Sequence, residues 1–155
     1  MLQVTILDFP VRLGLRARLH RESLLREFAI IASQGGAAAD VPKRLVEISH
    51  ISDERYVASN RAADDIVDAA ASRGDDYVRI ALDVPERLPD DTRDTVSVLI
   101  EAYEYCGRGD MLTLSPPIDI GLFWVWLLGE FVRQSHGMPP ISWLDFSGRY
   151  GVEPS

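Results

Sequence analysis

Three side chains on which much protein chemistry depends are scarce in this 155-residue chain: it has one cysteine, one lysine and three histidines. A lone thiol, Cys106, cannot close an intrachain disulfide, which fits a cytosolic address. His20, His50 and His136 offer no pair at the i, i+3 or i+4 spacing that helical zinc sites use, so no metal is expected. Gly35-Gly36 is the only glycine pair, and neither Gly-x-Gly-x-x-Gly nor a lysine-bearing phosphate loop occurs; no nucleotide or other cofactor is expected. The most apolar run, residues 120–129, lies between Asp119 and Glu130 and is about half of the roughly 20 residues a membrane helix requires. Residues 1–10 include Asp8 and lack a basic leader followed by an apolar run, so no targeting segment is expected.

Positive charge is also in deficit. Lys+Arg total 16 against 24 Asp+Glu, a net charge of -8, which argues against a general nucleic-acid or anionic-membrane role and favours protein or small-molecule partners. A hydrophobic content of 46% with 26% charged residues is enough to bury a core and too apolar for a disordered chain. The reading is one globular domain over residues 1–138, followed by an extended C-terminal tail over 139–155.

Hydrophobic spacing then gives the elements. Residues 4–7 read as a first strand ended by Pro10. Leu13, Ala17, His20, Leu24, Phe28 and Ile31 recur at threes and fours and share one helical face, with Arg18, Glu22 and Arg26 on a solvated side. A second helix opens at Val41-Pro42, and Asn60 is placed to cap a third. Residues 77–84 alternate as a half-buried strand. Pro89 begins a fourth helix bearing Val96, Leu99, Tyr103 and Cys106. Residues 111–114 read as a third strand, and 118–135 as a fifth helix that is apolar nearly all round. The class is α+β: a small sheet of about three strands covered by about five helices.

Catalytic constellations are weak, and a non-enzymatic protein is expected. Asp64, Asp65 and Asp68 could meet a hard cation but read first as an exposed acidic face near Arg61 and Arg73. Glu101 and Glu104 share a helix side without any sign of the unequal environments that an acid/base pair needs. Cys106 sits at a helix C-terminus, the end that disfavours a thiolate. His20, Tyr103 and Cys106 are the residues around which a ligand pocket could form, which would make the chain a small-molecule sensor or an unrecognised enzyme.

The carboxyl-terminal half carries Glu104-Tyr105-Cys106, Leu112-Thr113-Leu114, Pro116-Pro117, Phe123, Trp126, the run Glu130-Phe131-Val132-Arg133-Gln134, Gly137, Pro139-Pro140 and Trp143. With Leu25-Arg26-Glu27-Phe28 and Val41-Pro42, this string resembles a family of small bacterial proteins common in high-GC Gram-positives. Members of that family look to be encoded near STAS-domain anti-anti-sigma factors, anti-sigma serine kinases and metal-dependent serine phosphatases. Trp124 and Val125 stand where the family pattern is more polar. The ATP loop of those kinases and the spaced aspartates of those phosphatases are not present. The resemblance implies a non-enzymatic regulator that binds a protein of STAS-domain or anti-sigma kinase type in sigma-factor partner switching. Trp126, Arg133, Gln134 and Trp143 are its candidate contacts. Leu122, Val125 and Trp126, on the back of the fifth helix, need cover from the tail or from a second subunit, and a homodimer through this face is expected.

Overall fold

The computed structural model describes residues 1–36, 40–106 and 116–152, apart from the side chains of Val41, Ala102, Tyr103, Tyr105 and Cys106. Strand β1 (Leu2–Pro10) pairs antiparallel with β2 (Tyr77–Val84), in a register that matches Val4 to Leu82 and Ile6 to Ile80. Beyond Ile6 the next partner of β2 is Phe9, against Val78, so β1 carries one extra residue. Asp8 absorbs this bulge at φ 54, a left-handed conformation that aspartate tolerates better than most residues. The bulge rephases the strand, and Val4, Ile6 and Phe9 all reach the core although their spacing is two and then three.

Six helices complete the described residues: α1 (Val11–Gln34), α2 (Asp40–Arg55), α3 (Val57–Arg73), α4 (Leu88–Cys106), α5 (Ile118–Ser135) and α6 (Trp143–Arg149). The class is α+β, with two strands in the sheet; the strand expected at 111–114 lies outside the described residues. Helix α1 follows β1 directly, its first N–H groups left without a side-chain cap. It turns back beside the strand at Gly14, where a Cβ would overlap the edge of the Phe9 ring. Only Tyr56 separates α2 from α3, and neither proline nor glycine makes that break. Asn60, expected as the cap of the third helix, is instead within the first turn of α3 and donates its backbone N–H to Tyr56 O at 2.8 Å.

Two apolar clusters form, and α1 is long enough, about 36 Å for its 24 residues, to serve both. The larger joins the sheet, the start of α1, α3, α5 and α6 around Ile6, Leu13, Ile80, Phe123, Trp126 and Trp143. The smaller joins the far half of α1 to α2 and α4 through Leu24, Phe28, Leu45 and Val98. The tail, expected to be extended, contains α6. Ser142 Oγ caps that helix by accepting from the Asp145 N–H at 3.1 Å, and Trp143 enters the core completely.

Candidate functional site

Between the two clusters the packing does not close. A cavity of about 380 Å³ lies there, walled by β1, β2 and helices α1 to α5. Its volume falls within the roughly 300–1,000 Å³ typical of small-molecule sites. Leu24, Leu45, Val67, Ile80, Leu99 and Leu127 give it apolar walls, and Trp124 and Phe131 of α5 add aromatic surface. The polar lining is concentrated where α2 passes into α3: Ser49, Ser52, Asp53, Tyr56, Ser59 and Asn60 recur at one-turn spacing through the break. Arg18, Arg21 and Glu22 face them from α1, and Asp91, Thr92 and Thr95 from α4.

Tyr56 and Asp91 form the wall of the site beside the α2–α3 break. The Tyr56 side chain is buried, and its hydroxyl donates to Asp91 Oδ2. The same oxygen receives Arg55 Nη1 at 2.6 Å, with Arg87 Nε at 3.6 Å. Burial first, and then the hydrogen bond and charge of Asp91, push the Tyr56 phenol up to about 12. Burial works to raise the Asp91 carboxyl, but the hydrogen bonds from Tyr56 and Arg55 outweigh it and hold the group below the usual carboxylate value. These contacts anchor the apex of the break to α4.

The pair makes stability pH-dependent at both ends. A phenol whose folded pKa is raised contributes stability that is complete below its unfolded value of about 10 and is lost as pH rises toward 12. A carboxyl whose folded pKa is lowered contributes stability present above its unfolded value of about 4 and lost as pH falls below it. Urea midpoints measured from pH 9 to 12 should therefore fall more steeply for the wild type than for Tyr56→Phe. Parallel curves would show that the phenol is not held as described.

The surrounding charges are closed on one another. Arg18 bridges α1 to α3 through Asp64 at 2.8 Å and Asp68 at 3.0 Å, so it is not on a purely solvated face. Two of the three carboxylates of the α3 acidic group, Asp64 and Asp68, thus share Arg18, while Arg73 pairs with Asp75. Arg21 meets Asp53 at 3.3 Å. Exposed pairs of this kind each contribute less than about 1 kcal/mol, so their role is to fix the local charge pattern more than to stabilise the fold.

The residues singled out in the sequence are distributed differently from expectation. His20 is half-buried on α1 between Ala17 and Leu24, but it does not line the cavity. Arg18 and Glu22, two positions to either side, point about 200° away around the helix and do. The side chains of Tyr103 and Cys106 lie outside the described residues. Trp126 and Trp143 are 2% and 0% exposed and pack on each other at 5.4 Å between ring centroids, so both are used inside the chain, and Trp126 also borders a shallow groove between α5 and α6. Trp126 Nε1 also donates to Ile141 O at 2.8 Å. Gln134 pairs with the free edge of β1, its amide accepting from Thr5 N at 2.9 Å and donating to Thr5 O at 2.8 Å. Arg133 is held by Glu130 at 3.4 Å and donates to Pro139 O at 3.3 Å. The cover that Trp126 needed comes from the tail of the same chain. Leu122 is partly buried against the core, and Val125 alone of that face stays open, at 62% exposed. The reason given for a homodimer therefore disappears with respect to Trp126.

Sequence reasoning missed Tyr56, Asp91 and the α2–α3 polar stripe. The one-turn recurrence of Ser49, Ser52, Tyr56 and Asn60 was the available signal, hidden because it crosses a helix boundary. Among the described residues no helix is long and apolar enough to cross a membrane. No protein-family model, curated protein or solved structure matches the chain.

Proposed function

We propose that this protein is a non-enzymatic binding protein of the cytoplasm that takes a small, largely apolar molecule into the cavity between its two core clusters. The observation that carries the reading is the cavity itself, about 380 Å³ with apolar walls and one polar side. The cavity is partly open to solvent, and its walls of leucine and aromatic side chains leave contacts unmade that an apolar ligand would supply. The charged side chains near it are paired with one another apart from exposed Glu22, and the hydroxyls of Ser49 and Ser52 have no hydrogen-bonded base among the described residues, which favours holding a molecule over transforming it.

The test uses N-phenyl-1-naphthylamine, a neutral apolar dye whose emission rises in apolar surroundings. The wild type should bind one equivalent saturably. Ala63→Phe, which projects a ring from α3 into the cavity, should weaken binding at least tenfold without lowering the melting temperature. Absence of saturable binding by the wild type would overturn the reading.

A second reading, the partner-switching regulator implied by the family resemblance, is favoured by a shallow groove between α5 and α6. It is rimmed by exposed Val125 and Tyr150 and by Arg149, which has no ion-pair partner among the described residues. Its partner would be a STAS-domain or anti-sigma kinase type protein that presents an acidic segment. Photo-crosslinking from position 125 to such a purified protein, lost on Arg149→Glu, supports this reading; no crosslink to either partner type counts against it.

A further inference from the structure

The charge pattern of the cavity constrains what can enter it. Each arginine in the lining is already matched to a carboxylate: Arg18 to Asp64 and Asp68, and Arg21 to Asp53. The lining carboxylates Asp53, Asp64 and Asp91 are matched in the same way, Asp91 by Arg55, Arg87 and the Tyr56 hydroxyl. Glu22 is the exception, and it is exposed to solvent, where an added ion pair gains little. An anionic ligand head would find no free cation in the lining, and a cationic head no free buried carboxylate. Either would have to displace an existing pair or sit unpaired beside apolar walls; the pairs are exposed and weak, so the larger cost is the desolvation of an unpaired charge.

Uncommitted neutral groups are present on the same side. Ser49, Ser52 and Asn60 line the cavity, and none of their side chains makes a hydrogen bond to another group among the described residues. Ser49 and Ser52 stand one turn apart on α2 and are half-buried, Asn60 lies two turns further on at the exposed mouth, and each can both donate and accept. We infer that the ligand is an uncharged amphiphile, an apolar body with a hydroxyl or amide head that Ser49, Ser52 and Asn60 receive, and that the Arg21–Asp53 and Arg18–Asp64/Asp68 pairs act as the specificity elements that reject charged heads. This rests on the cavity being the ligand site.

Competition against bound N-phenyl-1-naphthylamine with 1-octanol, octanoate and octylamine at pH 7 separates head from body, because the chain is held constant. Octanol should displace the dye at least tenfold more effectively than either charged analogue. Asp53→Asn, which releases the Arg21 guanidinium, should improve octanoate relative to octanol at least fivefold. Arg18→Gln, which releases Asp64 and Asp68, should do the same for octylamine. Failure of the dye itself to bind defeats the cavity as a ligand site. Dye binding with octanoate or octylamine equal to or better than octanol on the wild type leaves that site standing and overturns the uncharged head. Unchanged selectivity in both variants overturns the role given to the ion pairs.

Discussion

Trp143→Ala should lower the stability of the fold by about 3–5 kcal/mol, the range seen when a fully buried large aromatic side chain is truncated. Trp143 is 0% exposed although it belongs to a seven-residue helix near the end of the chain. A helix that short is not stable on its own, so docking must hold it. The Trp143 ring meets Phe123 at 6.2 Å, Trp126 at 5.4 Å and Phe146 at 6.0 Å between centroids, joining α6 to α5 in one aromatic cluster. Leu144, the next residue on the same helix, is 41% exposed and serves as the control; Leu144→Ala should shift stability by no more than about 0.5 kcal/mol. Urea unfolding of the three proteins reads both effects. A loss of under about 1 kcal/mol for Trp143→Ala would mean that α6 does not dock in solution.

That tryptophan shows where the sequence was informative and where it was not. The order of elements and the α+β class could be read because each element signals itself locally: Leu13, Ala17, Leu24 and Phe28 repeat at helical spacing and are all buried. The alternation of Val78, Ile80, Leu82 and Val84 likewise marks β2, although only Ile80 and Val84 are fully covered. The phase change in β1 could not be read, because Asp8 in a left-handed bulge looks in sequence like an ordinary interruption of a strand. The cavity was less legible still. It is bounded by seven elements, and what defines it is a gap between clusters that no single amphipathic pattern encodes. Its polar wall depends on Tyr56 meeting Asp91 from 35 residues away, a pairing without a local spacing rule. His20 attracted attention because a histidine on an apolar face is conspicuous, whereas the cavity takes Arg18, Arg21 and Glu22 from the same helix and not His20.

The second large effect is expected at Glu130, which is 1% exposed and whose two carboxylate oxygens are both engaged from within the chain. Oε2 accepts from the Ile141 N–H and from Gln134 Nε2, each at 3.0 Å, and Oε1 faces Arg133 Nε at 3.4 Å. Gln134 in turn holds both backbone groups of Thr5 on the outer edge of β1. One carboxylate thus ties together the strand edge, α5 and the segment that leads into α6. Glu130→Ala removes the acceptor while its donors stay buried, and should cost about 3 kcal/mol, as losing one partner of a buried charged network does. Glu130→Gln keeps an acceptor oxygen and should recover part of that loss. A specific readout separates this network from general loosening: amide exchange at Ile141 should accelerate in Glu130→Ala much more than exchange at Ile80 in the sheet. The consequence reaches the cavity, because Trp124, Leu127 and Phe131 line it from the same helix that Glu130 anchors. Dye affinity should therefore fall in Glu130→Ala and return in Glu130→Gln. Wild-type exchange at Ile141 together with wild-type stability in Glu130→Ala would show that the tail is held by the aromatic cluster alone.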